Sequence, residues 1–460
     1  MATIDEVLHK IDANQNAALN RLFDLLKIPS VSTDPHYKAD CARAAQWLVD
    51  DLNGIGFAAS VRPTPGHPMV VAHAKAVRPD APHVLFYGHY DVQPADPLEL
   101  WETEPFAPRI VETPTGKQIV ARGASDDKGQ LMLFVEACRA YMQTGGLPCH
   151  VTLLFEGEEE CGSSSLPEFL AQNKKELSAD IALVCDTNMW DRQTPAITTM
   201  LRGLVYEEVI VHAATRDLHS GMFGGPAANP IRVLGGVIAG LHDADGRVTL
   251  PGFYDGVDEL PEDVARQWRD LPFDGRKFLA EVGLSVPAGE AGRSVLEQIW
   301  ARPTCEPNGI IGGYTGEGAK TVLPAEARAK ISFRLVGHQN PEKIVEAFHA
   351  YVRAAVPADC RVEFLSHGAS PAIVLPFTSE ALTRARRALH QEWDREPALV
   401  GSGGSIPIVG QFKSELGLDA LMVGFALEND RIHSPNEKYE LTSFHKGARS
   451  WARILDALAK

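Results

Sequence analysis

The sequence predicts an α/β protein interrupted by a second, α+β domain, and three observations carry that prediction. At 460 residues the chain is too long for one ordinary hydrophobic core. Up to about residue 199, short runs of β-forming apolar residues alternate with stretches of helical periodicity, the pattern of a largely parallel sheet. From Met200 the texture changes to longer strands and irregular segments, and after residue 372 it returns to the first kind. The expected domains are therefore residues 1–199 with 373–460, and the insertion 200–372.

The elements follow in order. Ile4, Leu8, Ile11, Leu19, Leu22, Phe23 and Leu26 recur at helical spacing and predict a helix over 4–26, ended at Ile28-Pro29. A second helix is expected over 40–52, with Ala45, Leu48 and Leu52 inward and Gly54 as its C-cap. Residues 69–74 and 83–87 read as strands. Residues 93–118, rich in Pro, Glu and Thr, read as loop with room for a short hairpin. The run Ala121–Gly129 opens a helix over 130–142, where Asp126 and Asp127 would suit a helix N-terminus on dipole grounds alone. Strands follow at 150–155, leading into Glu156-Gly157-Glu158-Glu159-Glu160, and at 179–185, ending on Asp186. In the insertion, strands are expected at 204–213, 321–335 and 360–365 and helices at 229–241 and 341–355. Residues 245–300, with Pro251, Pro261, Pro272 and Pro287, read as irregular. A helix at 378–393, a strand at 420–425 and a helix at 443–458 complete the chain.

Composition narrows the function. Lys plus Arg number 44 against 60 Asp plus Glu, a net charge of −16, without basic clusters. That argues against nucleic acid and against an anionic membrane surface as partners. No apolar run is long enough to span a bilayer, and the first residues lack a basic segment followed by an apolar one. The seven cysteines are odd in number and scattered, with no Cys-x-x-Cys pair, so a disulfide framework is not expected and a reducing cytoplasm is.

The chemistry gathers at strand ends. Val84–Gly88 is a buried-type strand, followed at once by His89 and Asp91. Ligands of α/β sheets bind beyond the carboxyl ends of the strands. His-x-Asp alone would also fit a capped strand end, but it keeps company with Asp126, Glu159, Glu160, Asp186 and His433, all at expected strand ends or loops. Two His and three carboxylates, one bridging, would hold two divalent ions, and such a pair activates a water and polarises a carbonyl. A further carboxylate must move the water's proton to the leaving amine. Glu159 and Glu160 offer that division, one on the metal and one free. Two decoys fail. Gly313–Thr321 looks like a phosphate loop, but Ala319 parts Gly318 from Lys320 and a strand follows instead of a helix. Gly403-Gly404-Ser405 lacks the spacing of a serine nucleophile.

Taken together, Gly88-His89-Tyr90-Asp91-Val92, Arg122–Gly129, Glu156–Ser163, Asp217-Leu218-His219-Ser220-Gly221 and His433–Glu437 resemble the dinuclear-metal aminoacylase, glutamate carboxypeptidase and carnosine dipeptidase family. The matches run in order over nearly the whole chain and are most like the dipeptidase branch. The resemblance implies a zinc-peptidase-like catalytic domain with an inserted lid and dimerisation domain. It implies Asp126 as the bridging ligand, His89 and Asp186 on one metal, and Glu160 and His433 on the other. It makes Asp91 the residue that orients His89, Glu159 the general base, and His219 an oxyanion donor reaching into the partner's site of a homodimer. It also implies a cis peptide at Asp126-Asp127. Asn308, Arg334 and the loop 401–407, Ser405 included, fall at its substrate-binding positions. The cofactors it implies are two divalent ions, zinc first, with manganese or cobalt as alternatives. The expected reaction is hydrolysis of a dipeptide or short peptide. An N-acyl-amino-acid deacylase is the alternative with the same centre, and a non-catalytic scaffold would have lost Glu159 or a ligand.

Overall fold

The computed structural model describes residues 3–404 and 406–460. The chain forms two compact units, Met1–Thr199 with Leu375–Val400 and Gln411–Lys460, and Met200–Val374 with Gly401–Gly410. The glycine-rich stretch after Val400 thus belongs to the second unit.

In the first unit, strands Ala58–Arg62, Met69–Ala74, His150–Glu156, His83–His89, Ile181–Val184 and Ala420–Met422 lie side by side in that order. His83–His89 runs parallel to both of its neighbours, and Ala420–Met422 runs parallel to Ile181–Val184. Their carboxyl ends therefore share one edge of the sheet, and the register sets His89 beside Glu156. The strand ends and loops there carry His89, Asp91, Glu159, Glu160, Asp186 and His433, whereas Asp126 follows strand Gly116–Val120 of a separate sheet.

Aromatic packing fixes the sheet to its helices. Phe86 stacks on Phe134 of helix Lys128–Thr144 at 3.8 Å between ring centroids, and Trp451 of helix Leu441–Leu458 meets both rings edge-on at 5.5 and 5.4 Å. All three side chains are fully buried. Truncating such a ring to Ala typically costs about 3–5 kcal/mol. Helix Lys128–Thr144 is buried on every side from Lys128 to Tyr141, which explains why it is apolar beyond a single stripe. Even Lys128 is enclosed, its Nζ donating to the carbonyls of Leu25 and Ile28 at 3.2 and 2.7 Å.

Several elements differ from expectation. The first helix is two, Ile4–Ala13 and Gln15–Leu26, parted at Asn14. Gly54 ends helix Lys38–Gly54 from inside, and Gly56 takes the positive φ, +97°. The hairpin within 93–118 is Arg109–Thr113 with Gly116–Val120, and Lys438–Glu440 adds a third strand.

The second unit is built on a four-stranded antiparallel sheet in the order Thr304–Gly312, Glu326–Leu335, Gly203–His212, Arg361–Ser370. Helices Pro230–Ala239 and Pro341–Ala355 bury Leu234, Val237, Ile344, Phe348 and Val352 against Val205, Val209, Ile331 and Phe333. Strand Thr304–Gly312 was not expected, because Pro307 and Gly309 spoil its alternation; the ladder bulges at that point. The stretch read as irregular holds helices Glu262–Asp270, Gly275–Ala280 and Val295–Trp300, with Pro261 standing just before the first of them.

Candidate metal centre

The seven residues expected around the metals all belong to the first unit. His89 closes its strand. Asp126 precedes helix Lys128–Thr144, Glu159 and Glu160 begin a 3₁₀ turn after strand His150–Glu156, and Asp186 follows strand Ile181–Val184. His433 sits in a loop with φ +60°, a conformation uncommon for a residue with a side chain. Two sets of ligand atoms converge, His89 with Asp126 and Asp186, and Asp126 with Glu160 and His433; within each set the atoms lie within 4.8 Å of one another. Asp126 belongs to both. Its Oδ1 is 3.0 Å from His89 Nε2 and its Oδ2 is 3.0 Å from His433 Nε2, while Glu160 Oε2 is 3.2 Å from the same His433 nitrogen.

Neighbouring groups hold these side chains in place. His89 Nδ1 lies 3.1 Å from the Asp91 carbonyl and 3.4 Å from Asp91 Oδ1. The other Asp91 oxygen accepts the Glu160 backbone N–H at 3.0 Å, so Asp91 ties the two loops together. Asp127 accepts the His89 backbone N–H at 3.1 Å, across a cis peptide bond from Asp126. Gly88 leaves room for it, since a Cβ there would stand 2.9 Å from Asp127 Oδ2. Glu437 takes the N–H groups of Gly123, Ser125 and Asp126 and the Arg122 guanidinium, at 2.8–3.0 Å. Glu158, first of the Glu158–Glu160 run, is not a solvated charge. It is buried and accepts the N–H groups of His67 and Ser165 at 3.2 and 3.1 Å.

Sequence reasoning missed Asp127, Glu158 and Glu437 as parts of the site. Their signal was present: acidic residues beside ligands, in motifs already singled out.

The arrangement fits a cation. With Nδ1 turned to the Asp91 oxygens, the neutral ring of His89 carries its proton there and directs a lone pair from Nε2. That buried nitrogen has no hydrogen-bond partner among the described residues and faces carboxylate oxygens, an arrangement that needs positive charge between them. The titration of the cluster has the same origin. Burial opposes protonation of His89, yet Asp126 and Asp91 raise it well above its ordinary value. Hydrogen bonds to Asp126 and Glu160 push His433 up to about 10. Burial and the Asp126 charge push Asp186 up to about 7. Burial also raises Glu159, with Glu160 and Asp126 adding to the effect. His nitrogen and carboxylate oxygen are donors that suit zinc, manganese or cobalt.

His219, Asn308 and Arg334 belong to the second unit. His219 is exposed, and its Nδ1 accepts the Gly221 N–H at 3.0 Å, which leaves Nε2 to carry the proton. Asn308 is the extra residue of the bulge in strand Thr304–Gly312, and Arg334 lies opposite Thr304 and Leu204. Ser405 lies outside the described residues.

The model of peptidase family M20/M25/M40 matches residues 85–457. The chain belongs to this family. This M20 peptidase is similar to the Cys-Gly metallodipeptidase DUG1 of Candida albicans, with 31% identity over 96% of this chain and 94% of the relative. It is also similar to the Beta-Ala-His dipeptidase of Homo sapiens, with 27% identity over 100% of this chain and 93% of the relative. Among solved structures, the M20 family metallo-carboxypeptidase Sso-CP2 from Sulfolobus solfataricus matches at 30% identity and a TM-score of 0.77, covering 96% of this chain and 99% of that one. The di-peptidase Dug1p from Saccharomyces cerevisiae matches at 27% identity and a TM-score of 0.73, covering 99% and 98%. The M20 peptidase is accordingly a metallopeptidase, a metal-dependent hydrolase of amide bonds, with the expected α/β fold. Among the described residues no helix is long and apolar enough to cross a membrane.

Proposed function

We propose that this M20 peptidase is a dipeptidase working as a homodimer with two divalent ions, zinc or in its place manganese or cobalt. The observation that carries the reading is the sharing of Asp126 by two ligand sets, with Glu159 adjoining one of them. His89, Asp126 and Asp186 would hold one ion and Asp126, Glu160 and His433 the other. When bound, such ions lower the pKa of a water and polarise a carbonyl. Asp91 keeps the His89 ring in the tautomer that leaves Nε2 free. Glu159 takes a proton from the attacking water at its carboxylate and hands it to the departing amine nitrogen. His219, with Nδ1 already engaged, offers Nε2–H to the tetrahedral oxyanion. Asn308, Arg334 and Ser405 bind the peptide. The dipeptidases among the relatives support the substrate class over N-acyl amino acids.

A hydrolysis panel tests this. Metal-free protein is reloaded with zinc or manganese and given unblocked dipeptides beside N-acetyl and N-succinyl amino acids. The expected outcome is cleavage of the dipeptides, with Glu159→Gln lowering kcat by about 10²–10⁴-fold while the metal content stays the same. Cleavage of the N-acyl substrates alone would move the enzyme to the deacylase branch. A Glu159→Gln variant that keeps full activity would remove the base assignment.

A further inference from the structure

Gln93, two residues after Asp91, is half-buried where the chain leaves strand His83–His89. Its Nε2 donates to Glu160 Oε2 at 2.8 Å and to the Glu160 carbonyl at 3.3 Å. Both partners are acceptors, so the amide presents its NH2 group to them and uses both N–H bonds. Asp91 takes the Glu160 backbone N–H from the same loop. Residues 91–93 thus grip Glu160 at its N–H, its carbonyl and its carboxylate.

The grip is anchored to the frame that holds Asp126. A residue before proline is confined to extended conformations, so Pro94 limits the backbone of Gln93. The Pro94 carbonyl accepts Arg122 Nη2 at 3.0 Å, and the same guanidinium pairs through Nη1 with Glu437, which gathers the turn of Asp126. On the other side the Val92 N–H donates to the Ser30 carbonyl at 3.0 Å. The Glu160 side chain is 3% exposed, and the oxygen that Gln93 holds stands 3.2 Å from His433 Nε2. A carboxylate oxygen has two lone pairs, so Oε2 can take the amide on one and face the His433 side with the other. The amide therefore fixes the rotamer that turns Glu160 toward His433 and Asp126.

We propose that Gln93 is a positioning residue for the ion of the Asp126, Glu160 and His433 set. Its amide orients the Glu160 carboxylate and so tightens the hold on that ion, without touching the ion or the peptide. The effect is confined to one of the two ions, because among the described residues Gln93 bonds to neither His89 nor Asp186. This inference rests on the two-ion reading above.

The test titrates the metal-free full chain with zinc alone, against a chromophoric zinc chelator that reports each bound ion. Gln93→Met keeps the length of the side chain but has no N–H donor. It is expected to weaken one of the two ions by about 10- to 100-fold and to leave the other as in wild type. Gln93→Asn draws the amide back by one methylene and is expected to weaken the same ion, and it carries the test if the Met variant does not fold. In a His433→Ala chain, which lacks a ligand of that set, adding Gln93→Met is expected to leave the remaining ion unaffected, as a double-mutant cycle requires of residues acting on one site. A general loosening of the fold would weaken both ions together. That result, or two unchanged ions, in a chain that binds two overturns the role of Gln93 and leaves the two-ion reading intact. A wild-type chain that takes up a single ion overturns that reading, and this inference with it.

Discussion

Glu156 ends its strand fully buried, with the Tyr87 hydroxyl donating to Oε2 at 2.7 Å and Oε1 without a partner among the described residues. Burial pushes its carboxyl up to about 7 from an ordinary 4.5. The folded state therefore holds a proton that the unfolded chain releases between those values. The stabilisation this gives is complete below the ordinary value and is lost as pH rises through about 7. Glu156→Gln keeps the neutral shape at every pH. The variant is expected to match wild type in acid and to exceed it by on the order of 1–3 kcal/mol at about pH 8. Thermal melts of metal-stripped protein across this range provide the check, and a wild-type-to-variant difference that ignores pH would deny the cause. The adjoining Gly157 shows how tight the surroundings are, since a Cβ there would lie 2.2 Å from the Tyr90 hydroxyl.

Two segments far apart in sequence meet through Glu437. It follows His433 by four residues, and its carboxylate gathers the turn that presents Asp126. Removing it would leave three buried N–H groups and the Arg122 guanidinium without their acceptor. Glu437→Ala is expected to cost about 3–5 kcal/mol, the usual penalty for breaking a buried ion pair. It should also reduce retained metal by loosening Asp126 against His433. Chemical denaturation and metal analysis of the purified variant measure the two effects, and unchanged values in both would remove Glu437 from the frame of the site. The sequence marked Glu437 only as an acidic residue in the His433–Glu437 motif, because a carboxylate that accepts backbone N–H groups leaves no periodic trace to show what it does. What was readable were the residues at strand ends. His89, the Glu159–Glu160 pair and Asp186 each follow a run of β-formers, and such a run announces both a strand and its end. Helix Glu262–Asp270 escaped notice for the opposite reason, since the prolines around it look like loop while Pro261 in fact introduces a helix.

Across the whole molecule, the ligand sets place acidic and imidazole groups within a few ångströms of one another in a chain already carrying a net charge of −16. A divalent ion that binds only the folded state relieves that crowding and stabilises by mass action. Chelation should abolish hydrolysis and lower Tm, and zinc or manganese should restore both. A free ion at about a hundred times its Kd would contribute about 2.7 kcal/mol. Differential scanning fluorimetry with added metal reads this directly, and a Tm indifferent to metal would count against the centre.

The joining of Asp126 to Glu437 also bears on how the protein comes into being. Chains emerge from the ribosome amino-terminus first and begin to fold as they do. Most strands of the first unit's sheet, and four of the five candidate ligands, precede residue 200. The fifth candidate ligand, His433, and the carboxylate that braces the turn, Glu437, follow only after the Met200–Val374 stretch of the second unit. A nascent chain can thus assemble much of its scaffold while the hydrolytic centre is still incomplete, and competence waits on the arrival of His433 and Glu437.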